Sequence, residues 1–186
     1  MKIIVINGAG GVGKDTFVSL CEMVDDCVIH NLSTVEFVKD IATVAGWDGR
    51  KDARGRRLLS DIKDALTLYD NIPYKRVGNQ IELNLYRDAK KGINLDKVIF
   101  FIHCREPEEI QKFKEEWNAR TLLIRRPDVE RKYDNHADKN VFYFDYDYTY
   151  DNTGSLDKVK KDAVKFMNFI KKLEWQSGKK LPEEKN

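Results

Sequence analysis

The chain is short of cysteine, of histidine and of long apolar runs. Its three cysteines, Cys21, Cys27 and Cys104, include no C-x-x-C pair and are odd in number. They read as reduced thiols of a cytosolic protein, not as a disulfide framework. His30, His103 and His136 stand at no ligand spacing from those cysteines, which speaks against a zinc site. No apolar stretch reaches the ~18 residues needed to span a bilayer, and the first residues lack the charged-then-apolar pattern of a secretory leader, so no membrane partner is expected. The net charge is only +2, too small for a global field that would draw the molecule onto nucleic acid. There is no internal repeat and no linker. The 186 residues suit one domain with a sizeable core. Nothing in the composition sets an oligomeric state.

What is present alternates between strand and helix signals. Ile3, Ile4, Val5 and Ile6 form a continuous apolar run between Lys2 and Asn7, the pattern of a central parallel strand covered on both faces. A glycine turn and a helix over about 14–24 follow. Val28-Ile29 predicts a short second strand. Ser33-Thr34-Val35-Glu36 has capping-box spacing, so a helix is expected to start there and run to about Ala45, with Gly46 ending it. A helix over about 53–69 would present Leu58, Ile62, Ala65, Leu66 and Tyr69 on one face. Another, after Pro73, repeats Val77, Ile81, Leu85 and Ala89. Val98 to Ile102 is a second buried-strand candidate. Pro107 opens a helix with Ile110, Phe113 and Trp117 inward, and Thr121 to Ile124 is a further strand.

The stretch 125–140 is polar and irregular, 142–150 contains a last strand, and 155–173 reads as a closing helix with Val159, Ala163, Phe166 and Ile170 inward. Asp145 and Asp147 alternate with Tyr146 and Tyr148, which reads as a half-exposed strand in preference to a metal site. Phe142, Tyr143, Phe144 and Tyr146 read as core, and 176–186 as a mobile tail. Strands alternating with helices imply βαβ units and an α/β fold with a mostly parallel sheet. Ligands of such sheets bind at the carboxyl ends of the strands, which here are the segments after Asn7, Ile102, Ile124 and Tyr150.

The glycine turn fits two templates. Gly8-x-Gly10-x-x-Gly13 is a dinucleotide fingerprint, and Gly8-x4-Gly13-Lys14 is a phosphate-binding loop. A dinucleotide site wants an acid at the end of the second strand to hold a ribose, but His30 and Asn31 follow Val28-Ile29. A triphosphate loop wants a lysine directly after the last glycine, and Lys14 is there. The phosphate-loop reading therefore prevails. Gly8, Gly10, Gly11, Val12, Gly13 and Lys14 would wrap the phosphates of ATP, and Asp15 and Thr16 would stand at the helix start. Thr16 is a candidate Mg²⁺ ligand. Asp15 either serves the magnesium shell or caps the helix.

The run Gly13-Lys14-Asp15-Thr16 resembles the Gly-Lys-Gly-Thr of nucleoside monophosphate kinases. It resembles more closely the loops of phage-type deoxynucleoside monophosphate kinases and of phosphomevalonate kinases, where Asp follows the lysine. The likeness covers most of the chain in element order. It implies a three-layer P-loop fold, a five-stranded sheet in the adenylate-kinase-like order 2-3-1-4-5, and a single kinase domain over 1–175. Within it would lie a substrate-side helical segment over about 34–90 and a short lid-like segment over about 125–140. It also implies phosphotransfer from ATP with Mg²⁺ to a small nucleotide substrate in the cytoplasm.

A kinase holds its second anion by positioning and positive charge. His103-Cys104-Arg105-Glu106-Pro107-Glu108-Glu109 resembles the Asp-Val-Arg segment of the phage-type enzymes, with His103 standing where they carry Asp. Arg105 is thus a candidate catalytic and acceptor-phosphate residue; the bland alternative is a surface arginine paired with Glu109. Lys39, after Phe37-Val38, and Arg54 and Arg57 fall on the substrate-side helices, although the two arginines also fit a solvated charged face. Arg126, with Arg125 and Lys132, falls where relatives carry a lid, and would neutralise the transferred group or be a plain loop arginine. Asp151-Asn152-Thr153-Gly154-Ser155-Leu156 resembles a turn near the adenine, which makes Asn152 a cofactor-binding candidate alongside its part in ending a strand. Other P-loop kinases, for dephospho-coenzyme A or phosphomevalonate, and a regulatory nucleotide-binding module with little turnover remain as alternatives.

Overall fold

The structure, a computed structural model, describes residues 1–24, 26–130, 141 and 144–175. Five parallel strands, β1 (Lys2–Asn7), β2 (Val28–Ser33), β3 (Val98–His103), β4 (Arg120–Arg125) and β5 (Tyr148–Asp151), form one sheet in the order β2-β3-β1-β4-β5. The helices are α1 (Lys14–Glu22), α2 (Glu36–Val44), α3 (Ala53–Asp70), α4 (Ile72–Lys90), α5 (Pro107–Trp117), α6 (Pro127–Glu130) and α7 (Leu156–Lys172). No described helix is long and apolar enough to cross a membrane.

The centre of the sheet follows from the two most apolar runs. In β1, Ile4 and Ile6 face α1 and α7 in one cluster with Phe17, Val18, Ala163 and Met167. Ile3 and Val5 face α4 and α5 with Val77, Ile81, Ile110 and Phe113 in the other. β3 divides in the same way, with Phe101 on the first face and Phe100 on the second. Each such side chain contributes about 1.5–3 kcal/mol by leaving water, which is what commits both strands to the interior. Lys2 closes the far end: its ammonium donates to the carbonyls of Ile170, Lys171 and Leu173 at 2.5, 2.7 and 3.1 Å, capping the end of α7.

Five sequence expectations are corrected. β2 runs on through His30 to Ser33, because it is an edge strand whose ladder to β3 extends to the Ser33–His103 pair and needs no apolar run. The capping box does not form. Ser33 belongs to β2, α2 opens at Glu36 after Val35 with no side-chain cap, and the Ser33 hydroxyl instead accepts from the Val35 N–H at 3.3 Å. On α4 the inward series Val77, Ile81, Leu85 continues at Asp88, not at the exposed Ala89. Steps of four advance by roughly 40° each on a 3.6-residue helix, and the buried Asp88 carboxylate meets His30 Nε2 at 2.7 Å. On α3 the face is rotated, with Leu58 and Tyr69 at 37% and 81% exposure while Gly55 and Lys63 are buried. Asp145 and Asp147 precede β5, and Asp147 is a clasp. Its Oδ2 accepts from the Thr121 N–H and hydroxyl, both at 2.8 Å, with Lys114 and Arg120 at 3.6 and 3.5 Å. Phe142, Tyr143, Lys132 and His136, most of the expected lid and the 176–186 tail lie outside the described residues.

Lys63 turns α3 inward. Its ammonium donates to Glu109 Oε2 at 2.8 Å, and the same oxygen accepts from the Cys104 thiol at 3.2 Å. Burial favours the neutral amine, but Glu109, Cys104 and Glu106 together outweigh it and raise the Lys63 pKa above 10.5. Cutting one partner strands a buried charge, so Lys63→Met is expected to lower unfolding free energy in urea by about 3–5 kcal/mol, with most of it recovered by adding Glu109→Leu. A double variant no more stable than the single would show that the pair does not act as a unit.

A second prediction concerns acid. Burial pushes the Asp147 carboxyl up, but the Thr121 hydrogen bonds, then Lys114 and Arg120, outweigh it and hold it below 3.8. A depressed folded-state value means the clasp's stability is complete above about pH 4 and is lost as pH falls through the folded value. Asp147→Asn should therefore flatten the acid limb of the stability curve. An unaltered limb would show no linkage.

Candidate functional site: the glycine loop and the strand ends

The ends of β1, β3 and β4 meet at one edge of the sheet, with Ile6 level with His103 and Asn7 level with Leu123. The glycine loop leaves β1 at that edge. Asn7 sets its departure: the side-chain Oδ1 accepts from the Gly8 N–H at 2.8 Å, and Nδ2 donates to the Tyr146 hydroxyl at 2.7 Å. That hydroxyl in turn donates to the Val141 carbonyl at 2.8 Å. Gly8 has φ 146°, and a Cβ there would overlap the Ile124 carbonyl oxygen. Gly13 has φ 95°, and its Cβ would overlap the Asn152 amide. Only glycine fits either place.

Gly13 precedes α1 in the left-handed conformation and no side chain caps the helix. The first N–H groups of α1 and the positive end of its dipole are thus directed at the loop without a side-chain acceptor, the arrangement that binds phosphate oxygens. Lys14 curls back, donating to the Gly8 and Ala9 carbonyls at 2.6 and 2.8 Å. The Arg105 guanidinium reaches over the loop from the end of β3, with Nη2 4.0 Å from where a Cβ on Gly10 would stand. Its proposed pairing with Glu109 is overturned, since Glu109 is buried on Lys63 and Cys104.

His103 completes the floor. Its side chain is 15% exposed, its Nε2 has no hydrogen-bond partner among the described residues, and Asp15 Oδ1 stands 3.8 Å away. Burial lowers the imidazole pKa below 6.5; Asp15 opposes this, and Lys14 and Lys39 add to it. The Lys39 ammonium itself donates to Glu36 on its own helix at 2.7 Å.

Of the residues singled out from the sequence, Lys14, Asp15, Arg105 and Asn152 gather here, with Gly8, Gly10, Gly11, Val12 and Gly13 forming the turn, while Lys39 is paired with Glu36 on α2. Thr16 is exposed on the first turn of α1. Asn152 lies behind the loop: Nδ2 donates to the Val12 carbonyl and its N–H to the Arg125 carbonyl, both at 2.7 Å. Arg126 is exposed just before α6. Arg54 and Arg57 are not in the cluster; both are exposed and Arg57 stands 3.7 Å from Asp61 of its own helix. Sequence reading passed over Asn7, Tyr146, Lys63 and Glu109. A polar residue closing an apolar strand before a glycine turn was a signal for Asn7, but nothing local marks the other three.

No family model and no curated protein matches the sequence. Solved structures do resemble the fold. A sugar kinase from Janibacter sp. aligns over 90% of this chain and 95% of its own at 13% identity, with a TM-score of 0.51. Shikimate kinase from Aquifex aeolicus aligns over 90% and 97% at 12% identity and 0.46, and that from Bacteroides thetaiotaomicron over 92% and 99% at 13% and 0.44. At such identity the likeness to the sugar kinase shows a shared fold and nothing finer.

Asn152 and Gly13 offer a test of the cradle. Asn152→Ala leaves the Val12 carbonyl without its donor and should cost about 1–3 kcal/mol of stability, with weaker ATP protection in thermal unfolding. Gly13→Ala adds left-handed strain to a clash and should abolish that protection. ATP protection at the wild-type level in Gly13→Ala would refute the cradle. The chain has the three-layer α/β fold of the P-loop kinases, with the sheet order expected from its sequence.

Proposed function

We propose that the protein transfers the γ-phosphoryl group of ATP to a nucleoside or deoxynucleoside monophosphate, with Mg²⁺. The observation that carries this reading is the meeting of two cations on one glycine loop from two strand ends: Lys14 from within it and Arg105 over Gly10. One cation suffices to grip a triphosphate. A second, on the side of β3, suits an acceptor that is itself an anion.

In this reading the loop N–H groups and the start of α1 hold the ATP phosphates. Lys14 exchanges its carbonyl partners for β- and γ-phosphate oxygens, a small movement since those carbonyls belong to the loop itself. Arg105 and Lys39 orient the acceptor phosphate, and Arg126 neutralises charge on the moving group. Arg54 and Arg57 would join only through a closing movement of α3. Asp15 and Thr16 offer hard oxygen donors of the kind magnesium takes. No cluster of three or more His, Cys, Asp or Glu stands among the described residues, so the nucleotide phosphates would supply much of the ion's shell. Bound there, the ion would screen the charge that builds on the transferred group. The regulatory-module alternative differs in one respect, the absence of turnover.

ADP release measured across the monophosphates, with sugar and other hydroxyl acceptors alongside, tests the assignment. At least one monophosphate should raise release above the ATP-alone rate. Lys14→Ala should lower that rate by ~100-fold or more, the scale of a lost transition-state donor. Arg105→Ala should raise the acceptor KM while sparing ATP protection. A hydroxyl acceptor outpacing every monophosphate would overturn the acceptor class, and no response to any acceptor would overturn the kinase.

A further inference from the structure

The nucleotide edge of this sheet carries its carboxylate in an unexpected place. β3 ends in an imidazole, and Asp15, 3.8 Å from that ring, follows the loop lysine in sequence on the first turn of α1. The Asp15 carboxylate is 95% exposed and makes no hydrogen bond with the described residues. His103 lies beneath it with Nε2 shielded from solvent and no acceptor among the described residues. Leaving such a buried donor or acceptor unpaired is unfavourable. At 3.8 Å the Nε2–Oδ1 approach is too long for a hydrogen bond, and of the two groups the exposed carboxylate is the one with room to turn.

We propose that Asp15 is the protein carboxylate that holds the divalent ion of a bound nucleotide, and that His103 is its positioning residue, donating from Nε2 to one carboxylate oxygen so that the other faces the phosphates. The inference rests on the nucleotide-binding reading of the glycine loop. A ligand carboxylate steadied by a neighbouring donor is the common build of metal sites. Here the acid and its support have exchanged elements: the acid sits on α1 and the donor on β3.

The measurement is the gain in ADP affinity that a metal brings, taken as the ratio of the ADP Kd in EDTA to that in Mn²⁺ by calorimetry on the full chain. A ratio formed within each variant is indifferent to general losses of affinity. Wild type should show a ratio well above one. Asp15→Asn should lower it by about ten-fold or more, the usual effect of disturbing a metal's support. His103→Leu should lower it several-fold, and His103→Asn, which keeps a donor, should restore part of the loss. An unchanged ratio in Asp15→Asn overturns the proposal. So does an unchanged ratio in both His103 variants while Asp15→Asn falls. If wild type binds ADP in neither solution, the loop reading itself has failed.

Discussion

The structure depends on how closely the glycine loop is pressed against the strands beside it. Gly8 runs so near the Ile124 carbonyl, and Gly13 so near the Asn152 amide, that neither tolerates a methyl group. That proximity lets the loop turn from the buried end of β1 straight into α1 without an intervening cap. The same compression leaves the first amides of the helix facing the turn. Asn7 on one side and Asn152 on the other hold it by hydrogen bonds to backbone at 2.8 and 2.7 Å. The loop is therefore a backbone element fixed on both sides, and its lysine, bonded to carbonyls of the loop itself, needs little movement to change partners.

Charge around this loop is arranged by burial as much as by sequence number. Lys63, Glu109 and Cys104 tie α3 to α5 beneath the Arg105 segment, and the Cys104 N–H meets the Ile6 carbonyl at 3.3 Å. The arginine over the loop thus stands on a braced turn, while its own head group is exposed. A buried ion pair is a poor source of net stability, yet breaking one is expensive. Its value here is in fixing where α3 packs. The Asp147 clasp does comparable work at the start of β4, holding the segment before β5 to Thr121.

The central strands, the helices packed on them and the glycine turn were legible because each is written in consecutive residues: an apolar run, a helical period, or Gly-Lys at the right spacing. The edge strands were less so. β2 is only half buried along its length, so its extent depends on the ladder to β3 and not on its own hydropathy. The α3 face was misjudged because the decisive inward residue is a lysine, which any apolar stripe leaves out, and its partner lies 46 residues away. The Asp145–Asp147 segment misled because alternation is a necessary feature of a half-exposed strand and not a sufficient one.

By itself the sequence determined the fold class, the strand that lies at the centre and the glycine turn that follows it, since these follow from local pattern and from glycines placed where the backbone needs them. Tertiary structure alone decided which charges gather at that loop. His103 and Arg105 reach it from the end of β3 and Asn152 from the turn after β5, while Arg54 and Arg57, equally basic in sequence, point to solvent on a helix turned by Lys63. The physical reason is that local propensity acts over a few residues, whereas electrostatic reach acts through space across whatever the packing brings near.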